Sequence, residues 1–166
     1  MLINRSIAKS TVRTAILAAL AISGLATDAF AYDVDARSRE TIPKEMHASP
    51  KCQQYYYYGK KEKDAGHLAN AEKYLMAALK DASASRNEQA SDWICVPMTE
   101  LQNRYASAKK YDRSEALMKY VLQVQEGFKG QKSPKLAPYL QMLSVALKQQ
   151  GKTAEAQKID ERLSSL

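Results

Sequence analysis

Three segments of this 166-residue chain align at a nearly fixed offset. They are Gly66-His67-Leu68-Ala69-Asn70-Ala71-Glu72, Lys109-Lys110-Tyr111-Asp112-Arg113-Ser114-Glu115 and Gly151-Lys152-Thr153-Ala154-Glu155-Ala156-Gln157, separated by 43 and 42 residues. Repetition at such a period is the signature of small units that cannot each bury an apolar face and must stack to do so. It favours an interaction scaffold over a compact enzyme.

Each segment lies between two runs with helical spacing. Ahead of them stand Cys52, Tyr55, Tyr58 and Glu62; Cys95, Met98, Leu101 and Tyr105; and Ala137, Leu140, Leu143 and Leu147. Steps of 3, 3 and 4 residues place each set on one face of a helix. Behind them stand Ala71, Leu75, Ala78 and Leu79; Ser114, Met118, Val121 and Leu122; and Ala156, Asp160, Leu163 and Ser164. Each unit therefore reads as helix, turn, helix, with units at 49–87, 88–130 and 131–166.

The boundary residues agree. Ser49-Pro50 and Ser133-Pro134 read as an N-cap followed by proline at the first helical position. Asp112 and Glu115 have the spacing of a capping box. Gly66 and Gly151 suit left-handed helix ends, and Lys109 in the same place predicts a looser turn. Ala71, Ser114 and Ala156 are small enough for close helix crossings. Pro97 and Pro138 each remove a backbone donor. The second unit's first helix is expected to bend or begin near Val96-Pro97.

These placements resemble the tetratricopeptide repeat. The matching residues are Gly59, Gly66 and Ala71 in the first unit, Leu101 and Tyr105 in the second, and Leu143, Gly151 and Ala156 in the third. The long period is similar to the variant found in kinesin light chain, whose recurring P…L..LA…..G…EA line is echoed from Pro138 to Ala156. The resemblance implies an all-α, right-handed stack of about three antiparallel helix pairs over residues 49–166. Lys109, Glu62 and Asp160 depart from the pattern. Asp160 suits a terminal helix, whose outer face must be polar.

The N-terminus reads as a targeting segment. Arg5, Lys9 and Arg13 precede an apolar run, Thr14 to Ala26, of 13 residues. A membrane span needs about 20. Ala29-Phe30-Ala31 supplies a small-x-small cleavage signal, so 1–31 is expected to be a cleaved signal peptide, an uncleaved anchor being the disfavoured alternative. The chain is then exported, periplasmic or secreted. Residues 32–48 are polar, lack a stripe and read as a flexible leader. Loss of Arg5, Lys9, Arg13 and Asp28 lowers the formal net charge from +7 to +5. No basic block with interleaved aromatics accompanies it, so nucleic acid is not an expected partner.

Export and an even cysteine count permit a disulfide. Cys52 and Cys95 lie 43 residues apart, at one place in successive units, and the expectation is a Cys52–Cys95 bond, with two buried thiols as the alternative. His47 and His67 complete no metal spacing, and neither a phosphate loop nor a nucleophile motif is present. The sequence predicts no metal, no cofactor and no enzyme.

First helices line the concave side of such arrays, as the resemblance implies, and residues one turn off the buried stripe would face a partner. The candidates are Tyr56, Lys60 and Lys63; Thr99 and Asn103; and Gln141 and Lys148, with Gln53, Ala106 and Val145 beside them. Lys60 and Asn103 resemble part of the clamp with which some tetratricopeptide proteins hold a C-terminal carboxylate. Gln141 and Val145 depart from it. The expected function is recognition of another protein or an extended peptide on that face. Structural self-association is the alternative, and no stable membrane span remains after cleavage.

Overall fold

The structure, a computed structural model, describes residues 42, 43 and 46–166. The expected signal peptide lies outside the described residues. Among those described there are six α-helices and one short 3₁₀ turn, with no strand. They are α1 (Pro50–Asp64), α2 (Leu68–Ala84), α3 (Glu88–Ser107), α4 (Tyr111–Lys129), the 3₁₀ turn Pro134–Leu136, α5 (Ala137–Gln149) and α6 (Thr153–Ser164). Each helix packs against the next, giving three adjacent pairs.

One turn chemistry recurs four times. The N–H groups of His67, Asn87, Lys110 and Lys152 donate to the carbonyls of Glu62, Ala82, Tyr105 and Leu147. In each case the preceding residue has positive φ: Gly66 at 81°, Arg86 at 51°, Lys109 at 57° and Gly151 at 74°. This is the Schellman ending, which satisfies carbonyls that the helix leaves open. Lys109 was expected to loosen its turn, but it adopts the left-handed conformation as glycine does. The junction at Arg86 has no glycine to announce it.

Helix starts are less uniform. The Ser49 hydroxyl accepts from the Cys52 N–H at 3.0 Å, and Asn87 Oδ1 accepts from the Ala90 N–H at 2.9 Å. Ser133 starts the 3₁₀ turn rather than a helix, and Pro138 falls in the first turn of α5, where its missing N–H costs little. The Asp112–Glu115 capping box does not form. Lys110 occupies the N-cap without a side-chain bond, Asp112 is exposed, and Glu115 turns inward. Pro97 does not start a helix either; α3 begins at Glu88 and runs through it.

The core follows the apolar stripes. Ala71, Leu75, Ala78, Leu79, Met98, Leu101, Met118, Val121, Leu140 and Ala156 are all buried. A Cβ on Gly59 would sit 2.6 Å from Leu75 Cγ, so α1 and α2 meet where only glycine fits. The register of α1 differs from expectation. Its buried face is Cys52, Tyr56, Gly59 and Lys63, while Tyr55 and Tyr58 are half-buried on its flank. In the segment expected to be a flexible leader, Met46 is buried at 1% exposure, Ile42 and Ala48 pack on the core, and the Asn87 side chain donates to the His47 carbonyl. The packed unit therefore starts ahead of Ser49.

Cys52 and Cys95 are free thiols, contrary to the expected disulfide. Each points into a different helix pair. Cys52 Sγ donates to the Ala78 carbonyl of α2 at 3.4 Å, and Cys95 Sγ accepts from Gln125 Nε2 of α4 at 3.0 Å. Equal places along successive helices do not bring the two side chains face to face.

Candidate partner-binding groove

Helices α3 and α5 both pack against α4, and between them runs a shallow groove of about 600 Å³. α3 contributes Gln102, Asn103, Ala106 and Ser107; α5 contributes Pro138, Gln141, Met142, Val145 and Gln149. None of these side chains is charged. The lining alternates amide ends with short apolar surface, and Val145 is 46% exposed. Amides offer both donors and acceptors, which suits a peptide backbone better than a point charge.

The packing explains why these side chains stay available. Leu101, Tyr105, Leu140, Leu143 and Leu147 take the buried faces of α3 and α5. Asn103 and Gln141 lie on the opposite sides and are exposed. Beneath them, the buried Gln102 amide donates to the Ser114 hydroxyl of α4 at 2.8 Å, fixing the groove's edge to the helix behind it. Its Oε1 has no hydrogen-bond partner among the described residues.

The other candidates lie elsewhere. Tyr56 is 4% exposed, and its hydroxyl pKa is raised by burial first and by the Glu100 carboxylate second. Lys60 is half-buried with its ammonium 5.6 Å from the Tyr56 ring centre. Lys63 is only 5% exposed, and it binds Asp64 at 2.9 Å and also Glu100 of α3. The Arg104 guanidinium of α3 donates to the Lys63 carbonyl. Burial alone would lower the Lys63 pKa, but the two carboxylates outweigh it and the net shift is upward. Lys63 is a tie between helix pairs rather than a partner contact. Thr99 is half-buried and turns its hydroxyl back to the Val96 carbonyl at 2.8 Å. Lys148 is exposed but reaches Asp160 of α6 at 2.7 Å.

The structure thus unites Asn103 and Gln141 in one groove with Ala106 and Val145, and removes Tyr56 and Lys63 from any accessible face. Sequence reasoning missed Gln102, Ser107, Pro138, Met142 and Gln149. Pro138 lies three residues before Gln141 and four before Met142, so a helical projection from Gln141 finds Pro138 and one from Pro138 finds Met142.

Among the described residues no group of three His, Cys, Asp or Glu side chains is placed to hold a metal ion. No described helix is long and apolar enough to cross a membrane. Comparison with family models, with curated proteins and with solved structures finds no match.

Proposed function

We propose that this chain is an exported, tetratricopeptide-like helical-repeat protein that binds an extended segment of another protein along the α3–α5 groove. The observation that carries the reading is the groove itself, uncharged and lined by amides and short apolar side chains from two successive first helices. The 42 to 43-residue period and the fourfold turn chemistry support the repeat architecture. The basic and apolar N-terminal run supports export. The mechanism is recognition without chemistry. The bound segment's backbone exchanges hydrogen bonds with Asn103, Gln141 and Gln149 while small apolar side chains settle against Ala106, Met142 and Val145.

A crosslinking capture from envelope extract tests this, with the full chain as bait. Two groove variants serve as controls, Asn103→Ala/Gln141→Ala and Val145→Glu. The expected result is one partner captured by the parent chain and lost with both variants at unchanged helicity. Capture that survives both substitutions would reject groove binding. Recovery of the chain alone, with a concentration-dependent mass, would leave self-association.

A further inference from the structure

A second surface has different chemistry. Tyr57 and Tyr58 have ring centres 5.4 Å apart, Tyr58 and Tyr74 5.6 Å, and Tyr74 and Tyr55 6.4 Å. The four half-buried rings form one continuous strip on the flank of α1 and α2, and Tyr56, between them in sequence, turns inward. Lys51 lies 6.0 Å from the Tyr55 ring centre and Lys73 lies 5.8 Å from that of Tyr74. At the far end Tyr57, Lys60, Lys61 and Asp64 line a shallow hollow, in which the Asp64 carboxylate is paired with Lys63.

Lys51, Lys61 and Lys73 are exposed, and among the described residues none pairs with a carboxylate. By contrast Lys63, Lys119, Lys129, Lys148 and Lys152 all do. Positive charge is thus left open along the tyrosine strip, as it also is at other exposed lysines such as Lys80, Lys110 and Lys158, which have no aromatic strip beside them.

We propose that this strip is a binding site for an acidic polysaccharide, a chain of sugar rings bearing carboxylates. Tyrosine presents an apolar ring body and a hydroxyl that donates and accepts, which matches a sugar's C–H face and hydroxyl rim. The rings are held against one another, and Tyr55 also against the core, so little side-chain freedom is lost on binding. Successive centres lie 5.4 to 6.4 Å apart, about one sugar ring, which suits a repeating chain. The unpaired ammonium groups complement its carboxylates. The rings are tilted against one another by 32° to 60°, and lysines stand over two of them. Bases would stack on the same ring faces, and an oligonucleotide competitor distinguishes the two ligands.

Binding of the full chain to polygalacturonate, dextran, poly-glutamate and a single-stranded oligonucleotide, followed by affinity electrophoresis, tests the site. Polygalacturonate should be retained, more weakly as salt rises, and dextran should not. Lys51→Gln/Lys61→Gln/Lys73→Gln should weaken binding by about tenfold or more, and Tyr57→Ala by about fivefold. All four positions are exposed or half-buried, and equal thermal melting of the variants checks that they fold. Unchanged affinity in the lysine variant would overturn the site. A loss confined to the lysine variant would reduce it to charge attraction and overturn the sugar assignment. So would poly-glutamate or the oligonucleotide binding as tightly as polygalacturonate, and no binding to polygalacturonate would overturn it outright.

Discussion

Lys109 shows how one residue can do a glycine's work at a cost. Its φ of 57° places a β-carbon in the left-handed region, which disfavours an L-residue by roughly 1–2 kcal/mol. Glycine relieves that strain but gives back part of it as chain entropy in the unfolded state. Lys109→Gly should therefore stabilise the fold by about 0.5–1 kcal/mol in urea denaturation. Gly59→Ala should act oppositely. Its added carbon meets buried Leu75, and overpacking of this kind costs about 1–3 kcal/mol. The two thiols give a chemical prediction at the same scale. Burial first and Asp81 second push the Cys52 thiol up to about 12; burial pushes Cys95 up to about 11 despite the hydrogen bonds from Gln125 and Tyr139. Both stay protonated at neutral pH, so neither is a good nucleophile. Thiol titration should find two free groups that react only on unfolding, and a single intramolecular disulfide by mass spectrometry would contradict the arrangement.

At the scale of helices, the chain joins its pairs through buried charge. Glu115 of α4 is 6% exposed and lies 2.5 Å from Lys119, 2.7 Å from Lys152 and 2.8 Å from the Gln150 amide, the last two beyond α4. Burial alone would raise its pKa, but the hydrogen bonds from Lys119, Lys152 and Gln150 hold it at about 2. A carboxylate held below its unfolded value stabilises the fold above the unfolded pKa, and that contribution is lost as pH falls through the folded one. Stability should therefore drop between about pH 4.5 and pH 2, by on the order of 1–2 kcal/mol in the parent. In Glu115→Gln the step should be smaller, with Glu62, Glu88 and Asp160 still contributing, as thermal melts across that range will read out. Such ties also explain what the sequence concealed. The registers of α3 and α5 were legible because Met98, Leu101, Leu140 and Leu143 have polar neighbours that break the symmetry. Four consecutive tyrosines in α1 carry no periodicity, so the buried one had to be chosen by packing against α3 and α2. Lys63 has no apolar signature, and its burial depends on Glu100, 37 residues away. Of the groove, Asn103 and Gln141 could be read by projection from the turn offsets, whereas the exclusion of Lys148 required knowing where Asp160 lies.

Across the described unit, contacts run mainly between neighbours in sequence, so stability should be graded rather than uniform. α6 stands at one end and buries only Ala156 fully, and Ile159 and Leu163 are merely half-covered. Its ion pairs are Lys148–Asp160, which is exposed, and Arg162 with Glu126 at 2.6 Å, which is half-buried. Exposed pairs contribute about 0–1 kcal/mol each. α3 and α4 sit between the other pairs and bury nine and eight residues, among them Ile94, Met98, Leu101, Met118 and Val121. At the other end α1 is better held than α6, because it buries more of its own residues and Lys63 and Arg104 tie it to α3. Hydrogen exchange should follow this order. Amides of α6 should exchange through local opening well below the global unfolding energy, α1 and α2 later, and α3 and α4 last. The asymmetry bears on the groove, since α5 holds half of it and is backed by α6. Loss of the α6 anchor, as in Ala156→Asp, should raise exchange in α5 and weaken groove binding while leaving α1 and α2 protected. Equal acceleration in every helix would show instead that the three pairs unfold as one cooperative block.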